Sequence, residues 1–259
     1  MGAAAGFECG LNMMLLTILF LCLAGSIGSV GLAALVLLAP SKFTERVVPV
    51  LVSYATGTLL GAAFLALIPN ALERLGAEVL MPVVLAGVLG FFLLEKILLW
   101  RHCHDGDCAI HGQSGLLIIF GDAFHNFVDG VIIAAAFLVT PELGLATALA
   151  VIAHEIPQEL GDFMILLESG FSRRRALLLN ALSGGTALLG GLAAFMFLQK
   201  INAALPYVMA LSAASFIYIA LADLIPGHRR NASPASTILQ LALMLLGVAT
   251  IILFDSHAH

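Results

Sequence analysis

Eight stretches of the sequence are almost entirely apolar, and each has about the 20 residues that a helix needs to cross the hydrocarbon core of a bilayer. They occupy roughly residues 12–38, 47–68, 80–100, 115–138, 144–168, 175–198, 204–226 and 235–254. Runs such as Leu177-Leu178-Leu179 lack the alternation of apolar and polar residues that a barrel strand shows. These segments would therefore form helices, in which every backbone group is hydrogen-bonded within the segment. The sequence therefore predicts an all-α polytopic membrane protein with eight transmembrane helices.

The composition agrees with a chain whose main solvent is lipid. Hydrophobic residues make up 61% of the 259 residues and charged residues 10%, whereas soluble domains carry about 25% charged residues. The spans use most of residues 1–259, so we expect a single transmembrane domain with short connections and no nucleic-acid partner. No lysine or arginine precedes Lys42, so the first apolar run lacks the basic start of a signal peptide, and we expect it to be retained.

Lysine and arginine residues are concentrated in the connections that follow the odd-numbered spans. These connections and the adjoining helix ends hold Lys42, Arg46, Lys96, Arg101, Arg173, Arg174, Arg175, Arg229 and Arg230. The opposite side holds only Arg74 and Lys200. Because basic residues favour the cytoplasmic side, we expect these connections in the cytoplasm, both termini outside, and insertion in the cytoplasmic (inner) membrane.

The fourth and fifth spans hold nearly all of the ionisable side chains found at membrane depth, which suggests a 3+2+3 arrangement around a polar central pair. In the fourth span Asp122, His125, Asn126 and Asp129 follow the spacing i, i+3, i+4, i+7, which is one face of a helix. The opposite face, which includes Phe124 and Phe127, is apolar. Ionisable residues inside a membrane are costly and therefore indicate a functional site.

The fifth span carries a second polar set. Its members are His154, Glu155, Gln158, Glu159 and Asp162. His154 and Gln158 are one helical turn apart, as are Glu155 and Glu159. Pro157 lies among them, removes a backbone donor and predicts a local break that would help the side chains to converge.

The two sets together form a nitrogen and oxygen donor set without thiolate. Such ligands suit zinc, iron(II), manganese and cadmium. Polar residues also join membrane helices by hydrogen bonds, but nine polar residues, five of them acidic and with no lysine or arginine among them, indicate a cation instead. The predicted metal ligands are His125, Asn126, Asp129, His154, Glu155 and Gln158. The predicted pathway residues are Asp122, Glu159, Asp162 and Asp223.

The motifs His125-Asn126-Phe127-Val128-Asp129-Gly130 and His154-Glu155-Ile156-Pro157-Gln158-Glu159-Leu160-Gly161-Asp162 resemble the fourth- and fifth-helix signatures of the ZIP (Zrt/Irt-like) metal transporters, here of bacterial type. The resemblance implies uptake of a divalent ion, zinc first, with cadmium, iron(II) and manganese as alternatives. It implies no resident cofactor and no enzymatic activity, and it leaves the oligomeric state open, a homodimer included.

The resemblance also implies a site for one or two ions. His125, Asp129, His154 and Gln158 would hold one ion, and Asn126, Asp129, Glu155 and Gln158 would surround a second position. Two departures weaken the second position. Gln158 stands where many members have His or Glu, and no Asp or Glu occurs between Glu168 and Asp223, where some bacterial members add a carboxylate from the sixth span.

The connection at residues 101–114 is a weaker candidate for metal contact. It contains His102, Cys103, His104, Asp105, Asp107, Cys108 and His111. Short tracts of this kind are a compositional signal only, so the alternative is a polar loop with incidental ligands.

Two other functions compete with transport. His154-Glu155 resembles the start of a zinc-hydrolase motif, but that motif needs a second His at position 158, which is Gln, and position 157 is Pro. A hydrolase that uses His125 with His154 remains an alternative. The other alternative is a metal sensor that binds ions without moving them.

Overall fold

The computed structural model describes residues 2–100, 111–225 and 233–255, and within these ranges the chain is helical with no β-strand. The α-helices are α1 (Gly2–Leu23), α2 (Ser29–Leu38), α3 (Ser41–Gly61), α4 (Ile68–Leu72), α5 (Ala77–Trp100), α6 (His111–Phe137), α7 (Pro141–Glu168), α8 (Arg173–Gly184), α9 (Thr186–Leu198), α10 (Leu205–Ile219) and α11 (Pro234–Asp255). Three π-helical segments, Ala24–Gly28, Ala62–Leu67 and Ala220–Leu224, and a 3₁₀ turn, Asn202–Ala204, complete the described elements.

Several of these helices follow one another directly, so the described chain forms eight long helical segments. The segment Ala24–Gly28 joins α1 to α2, Ala62–Leu67 joins α3 to α4, Gly185 joins α8 to α9, and Ala220–Leu224 extends α10. Seven of the eight are long and apolar enough to cross a membrane: Gly10–Leu38, Lys42–Leu72, Ala77–Leu94, Ile119–Phe137, Arg173–Leu198, Leu205–Ala222 and Pro234–Phe254. The all-α prediction is confirmed, and the positions of these seven agree with the predicted spans.

The eighth segment, α7, differs from the others in composition rather than in length. It has 28 residues, more than the about 20 needed to cross a bilayer, but it also carries five acidic residues. It runs through Pro157 as one α-helix. α7 packs against α2, α3, α6, α8 and α11, and His154, Glu155 and Glu159 are fully buried. These three polar residues therefore face other helices and not lipid.

Local signals fix both ends of α7. Thr140 has an extended backbone, and its hydroxyl oxygen accepts a hydrogen bond from the Leu143 N–H at 3.1 Å, with Pro141 at the first helical position. At the other end Gly170 has a φ of 87°, which favours glycine. The N–H of Phe171 then donates to the Leu166 carbonyl at 3.0 Å and closes the end of the helix.

The position of α6 depends on close backbone contact with α9. A Cβ atom at Gly130 would overlap the carbonyl oxygen of Ala187, and one at Gly190 would overlap that of Phe127. The Thr186 hydroxyl also donates a hydrogen bond to the Ala123 carbonyl at 2.5 Å. Small residues of this kind allow membrane helices to approach closely.

Large apolar side chains cover the outside of the described segments. Examples from different helices are Phe20, Leu35, Phe120 and Leu245, all of them more than half exposed. Phe124, on the apolar face predicted for α6, is also more than half exposed. Monomeric soluble proteins rarely present such extensive apolar surface, so the molecule is a multi-pass membrane protein.

Candidate metal centre

Four predicted ligands meet where α6 faces α7. His125 and Asp129 come from α6, and His154 and Glu155 come from α7. One ligand atom from each side chain lies within 4.8 Å of the other three. The sequence separation between the two pairs is large, so the cluster depends on helix packing.

The imidazole and carboxylate groups alternate around a common point. His125 Nε2 lies 3.5 Å from Asp129 Oδ2 and 3.4 Å from Glu155 Oε1. His154 Nε2 lies 3.2 Å from Asp129 Oδ2 and 3.7 Å from Glu155 Oε1. The two Nε2 atoms are 3.2 Å apart. Zinc binds imidazole nitrogen and carboxylate oxygen at about 2.0–2.2 Å, so small side-chain movements would bring all four donors to one ion.

The Nδ1 nitrogen of His154 faces a backbone carbonyl, away from the cluster. Nδ1 lies 3.0 Å from the backbone carbonyl oxygen of Ala150, which can only accept a hydrogen bond. In the neutral ring Nδ1 therefore carries the proton, and Nε2 is the nitrogen available to a metal ion in the cluster. A histidine ligand oriented by a backbone carbonyl is typical of metal sites in proteins.

The two carboxylates in the cluster are buried beside the two imidazole rings. Asp129 is 1% exposed and Glu155 is 0% exposed, and their oxygens lie 3.2–3.7 Å from the imidazole Nε2 atoms. Removing a carboxylate from water costs several kcal/mol unless another charge or donor compensates. A divalent cation between the four side chains would supply that compensation, and two neutral imidazoles with two carboxylates balance its charge.

Asp122 holds the amide groups of two other predicted ligands. Its Oδ1 accepts hydrogen bonds from Asn126 Nδ2 at 2.9 Å and from Gln158 Nε2 at 3.4 Å. Because a carboxylate oxygen accepts and an amide nitrogen donates, these contacts fix which end of each amide faces Asp122. Glu155 lies in the group of four with His125, Asp129 and His154, and the amide nitrogen of Gln158 donates to Asp122 beside it.

The remaining acidic residues of α7 continue along the helix from this cluster. Glu159 is fully buried and Asp162 is half-buried. Gln158, next to Glu159 in the chain, donates to Asp122 at 3.4 Å. The three residues of α6 and α7 predicted to line a pathway therefore lie on the neighbouring turns of two helices that contact each other.

α8 contributes buried polar residues that were not among the predicted site residues. Asn180 and Ser183 are buried, and Asn180 Nδ2 donates to the backbone carbonyl of Glu159 at 3.4 Å. Ser183 lies beside Asp122. Asn180, Ser183 and Thr186 recur every three residues in an otherwise apolar span, and this spacing places them on one face of the helix.

The other predicted ligands cannot be placed. His102, Cys103, His104, Asp105, Asp107 and Cys108 lie outside the described residues, as do the side chains of His111 and Asp223. Only the backbone of these last two is described, at the start of α6 and in the π-helical segment Ala220–Leu224.

Comparison with known proteins agrees with the motifs on these helices. Residues 100–255 match the family described as ZIP Zinc transporter. The chain is 33% identical over 225 residues to the zinc transporter ZIP13 of Pongo abelii, which covers 79% of this chain and 66% of that protein. It is 41% identical over 142 residues to the human zinc transporter ZIP4, covering 54% of this chain and 22% of ZIP4.

A third relative, the human zinc transporter ZIP6, is 37% identical over 150 residues, which are 55% of this chain and 20% of ZIP6. The chain therefore spans about two thirds of ZIP13 and about a fifth of ZIP4 and ZIP6. The family match covers more than half of the chain, α6 and α7 included. The chain belongs to the ZIP zinc transporter family.

Proposed function

We propose that this protein transports divalent metal ions, zinc first, across a lipid bilayer through the cluster of His125, Asp129, His154 and Glu155. The observation that carries the proposal is the buried pair of carboxylates whose oxygens lie beside two imidazole nitrogens, at 3.4 Å for Glu155 and His125 and 3.2 Å for Asp129 and His154. Asn126 and Gln158 supply further oxygen ligands next to this cluster. Cadmium, iron(II) and manganese are the competing ions, since mixed nitrogen and oxygen sites discriminate weakly among them.

The pathway continues from the cluster past Asp122, Glu159 and Asp162 towards the C-terminal end of α7, with Asp223 as a further contact. We propose that the odd-numbered connections lie in the cytoplasm and both termini outside, with residues 1–259 forming one transmembrane domain in a 3+2+3 arrangement. The basic residues Arg173, Arg174 and Arg175 at the start of α8 support this orientation in the inner membrane. Inward transport would then follow the direction from Glu155 to Asp162.

An inside-negative membrane potential is sufficient to drive this uptake. The potential contributes about 2.3 kcal/mol per charge per 100 mV, and roughly twice that for a divalent ion. Flux should therefore fall when an inside-positive potential is imposed on vesicles. Flux that ignores the voltage would contradict uncoupled uptake.

The principal test is zinc uptake into proteoliposomes that contain wild type, His154→Ala or Asp129→Ala. Glu142→Gln is a matched control, because Glu142 is an acidic residue in the first turn of the same helix, far from the cluster. We expect both cluster variants to lose zinc flux and Glu142→Gln to retain it. Competition by cadmium, iron(II) and manganese then ranks the metals by how strongly each inhibits zinc uptake.

A folded wild type that binds zinc but passes none would contradict the proposal and favour the sensor alternative. Zinc-dependent hydrolysis that Asp129→Ala abolishes, without flux, would favour the hydrolase. Cross-linking in the same vesicles distinguishes a monomer from a homodimer.

Orientation needs a separate experiment. Single cysteines are introduced at Arg74 and at Arg174 in a chain whose four native cysteines are replaced. A membrane-impermeant thiol reagent added to intact cells should label the cysteine at 74 and not the one at 174. The reverse pattern would overturn the proposed orientation.

A further inference from the structure

The seventh helical segment places an aromatic ring against the metal centre. Phe216, on α10, has its ring centroid 6.0 Å from that of His154, and the two ring planes meet at 64°. Aromatic rings in an edge-to-face arrangement attract one another at centroid separations of about 4.5–7 Å. The contact therefore joins α10 to a predicted metal ligand of α7.

Both rings are fully buried, and the packing around Phe216 leaves its ring little freedom to move. Phe216 is the largest fully buried side chain in the part of the chain that the structure describes. Ala213 and Ala220, one helical turn on either side of it, are also fully buried. α10 packs against α3 and α6, and both of these helices pack against α7. A large ring in such a closely packed region is held in one orientation.

The hydrogen bond at Nδ1 does not fix the His154 ring by itself. The Ala150 carbonyl determines which ring nitrogen faces the cluster. The torsion that turns an imidazole about its Cβ–Cγ bond has broad minima, so one hydrogen bond leaves the ring plane free to tilt. A second contact, from another direction, is needed to hold the plane.

Phe216 is better suited to hold this plane than the other ring beside His154. The His125 ring lies 5.4 Å from the His154 ring, but it is 18% exposed and is itself a predicted ligand. Its own orientation would therefore change when an ion binds. Phe216 has no atom that binds a metal, so it can act on an ion only through His154.

We propose that Phe216 is a positioning residue of the metal centre. Its ring fixes the plane of the His154 imidazole, so that Nε2 points towards the ion. This role also makes α10, which carries none of the four clustered ligands, part of the structure that supports the centre.

The consequence is a preference among metal ions, and its effect on transport rests on the proposed function. Imidazole nitrogen suits zinc, whereas carboxylate oxygen suits manganese. If the His154 ring were loosely held, zinc binding would weaken, while the carboxylates of Asp129 and Glu155 would still hold manganese. Phe216 therefore sharpens the preference for zinc over manganese.

The test compares zinc and manganese(II) binding to the full-length protein in detergent. Competition with a zinc-binding dye gives the zinc dissociation constant, and the free-ion signal in electron paramagnetic resonance gives the manganese constant. In Phe216→Leu we expect the ratio of the manganese constant to the zinc constant to fall about three- to tenfold, the size expected for the loss of one aromatic pair.

Phe195→Leu is the matched control and should leave this ratio unchanged. Phe195 is a buried ring on α9 and makes no ring contact with His125 or His154 among the described residues. A partly unfolded variant binds less of both ions and keeps the ratio, so the ratio separates positioning from general damage. Phe216→Met removes the ring but fills the space with a flexible chain, and it gives the same comparison if Phe216→Leu fails to fold.

A double-mutant cycle tests whether Phe216 acts through His154. In the His154→Ala background, Phe216→Leu should cause no further fall in the ratio. A further fall of the same size as in wild type would overturn the proposal, and so would a Phe216→Leu variant whose ratio equals that of wild type.

The result is separable from the proposed function. Zinc flux in wild type together with an unchanged ratio in Phe216→Leu refutes the positioning role alone. A lowered ratio in Phe216→Leu without any wild-type flux refutes transport alone.

Discussion

His154 and Asp129 meet across the contact between α6 and α7, with His154 Nε2 3.2 Å from Asp129 Oδ2. Nδ1 of the same ring lies 3.0 Å from the Ala150 carbonyl oxygen, so in the neutral ring Nδ1 carries the proton and Nε2 is the nitrogen that can bind a metal ion. The contact therefore places an imidazole nitrogen and a carboxylate oxygen where both can bind the same ion.

The nitrogen of His154 that binds metal can be identified directly. In protein labelled with nitrogen-15 histidine, we expect cadmium-113 to bind through Nε2 of His154, because Nε2 faces the cluster and Nδ1 faces the Ala150 carbonyl. Addition of cadmium-113 should therefore give a large shift and a cadmium coupling at Nε2. The His154→Ala spectrum assigns the signals, and cadmium binding through Nδ1 would contradict the structure.

Asp122 is expected to act as a positioning residue for Asn126 and Gln158. Asp122→Ala removes the acceptor of both amide hydrogen bonds and should raise the KM for zinc uptake about tenfold, since residues that orient metal ligands typically contribute about 10- to 100-fold. Asp122→Asn retains one oxygen acceptor and should have a smaller effect. Initial rates of uptake at varied zinc give both KM and the maximal rate.

A loss of folded protein alone would lower the maximal rate of Asp122→Ala and leave KM unchanged. Glu142→Gln is the control, because Glu142 is an acidic residue in the first turn of α7 and lies outside the proposed pathway. An equal rise in KM for Glu142→Gln would indicate a general effect of charge.

Helical periodicity was sufficient to predict one half of the site. The spacing of Asp122, Asn126 and Asp129 predicts a shared face, and all three are buried, whereas Phe124 on the other face is exposed. Hydrophobic length likewise predicted the seven apolar segments. These features depend on the spacing of residues along one helix, which can be read directly from the sequence.

The other half depends on how the helices pack. His154 and Gln158 form one row on α7, while Glu155 and Glu159 form the next, and a small rotation decides which row faces α6. Glu155 joins His154 in the cluster, and the Gln158 amide turns to Asp122. Periodicity cannot select between neighbouring rows, and the part played by Asn180 depends on where α8 crosses α7.

The cap of α7 should contribute measurably to stability. Thr140→Ala removes the acceptor of the Leu143 N–H and should cost about 1 kcal/mol, a typical value for a helix N-cap. The apparent melting temperature of detergent-solubilised protein measures the change. Ser172→Ala, at the start of α8, is the comparison, and its longer contact of 3.4 Å to Arg175 N predicts a smaller decrease.

Because α6 and α9 are in close contact, we expect alanine substitution to destabilise the protein at Gly130 but not at a glycine that has open space around it. In Gly130→Ala the added methyl group would overlap the Ala187 carbonyl, so the helices must separate, and overpacking of this kind typically costs about 1–3 kcal/mol. Gly161→Ala on α7 is the matched control, because nothing lies within 4 Å of the added methyl group. We expect Gly130→Ala to lower the apparent melting temperature and zinc flux together, since α6 carries His125 and Asp129, while Gly161→Ala keeps both. Equal behaviour of the two variants would show that α6 and α9 do not approach as closely as described.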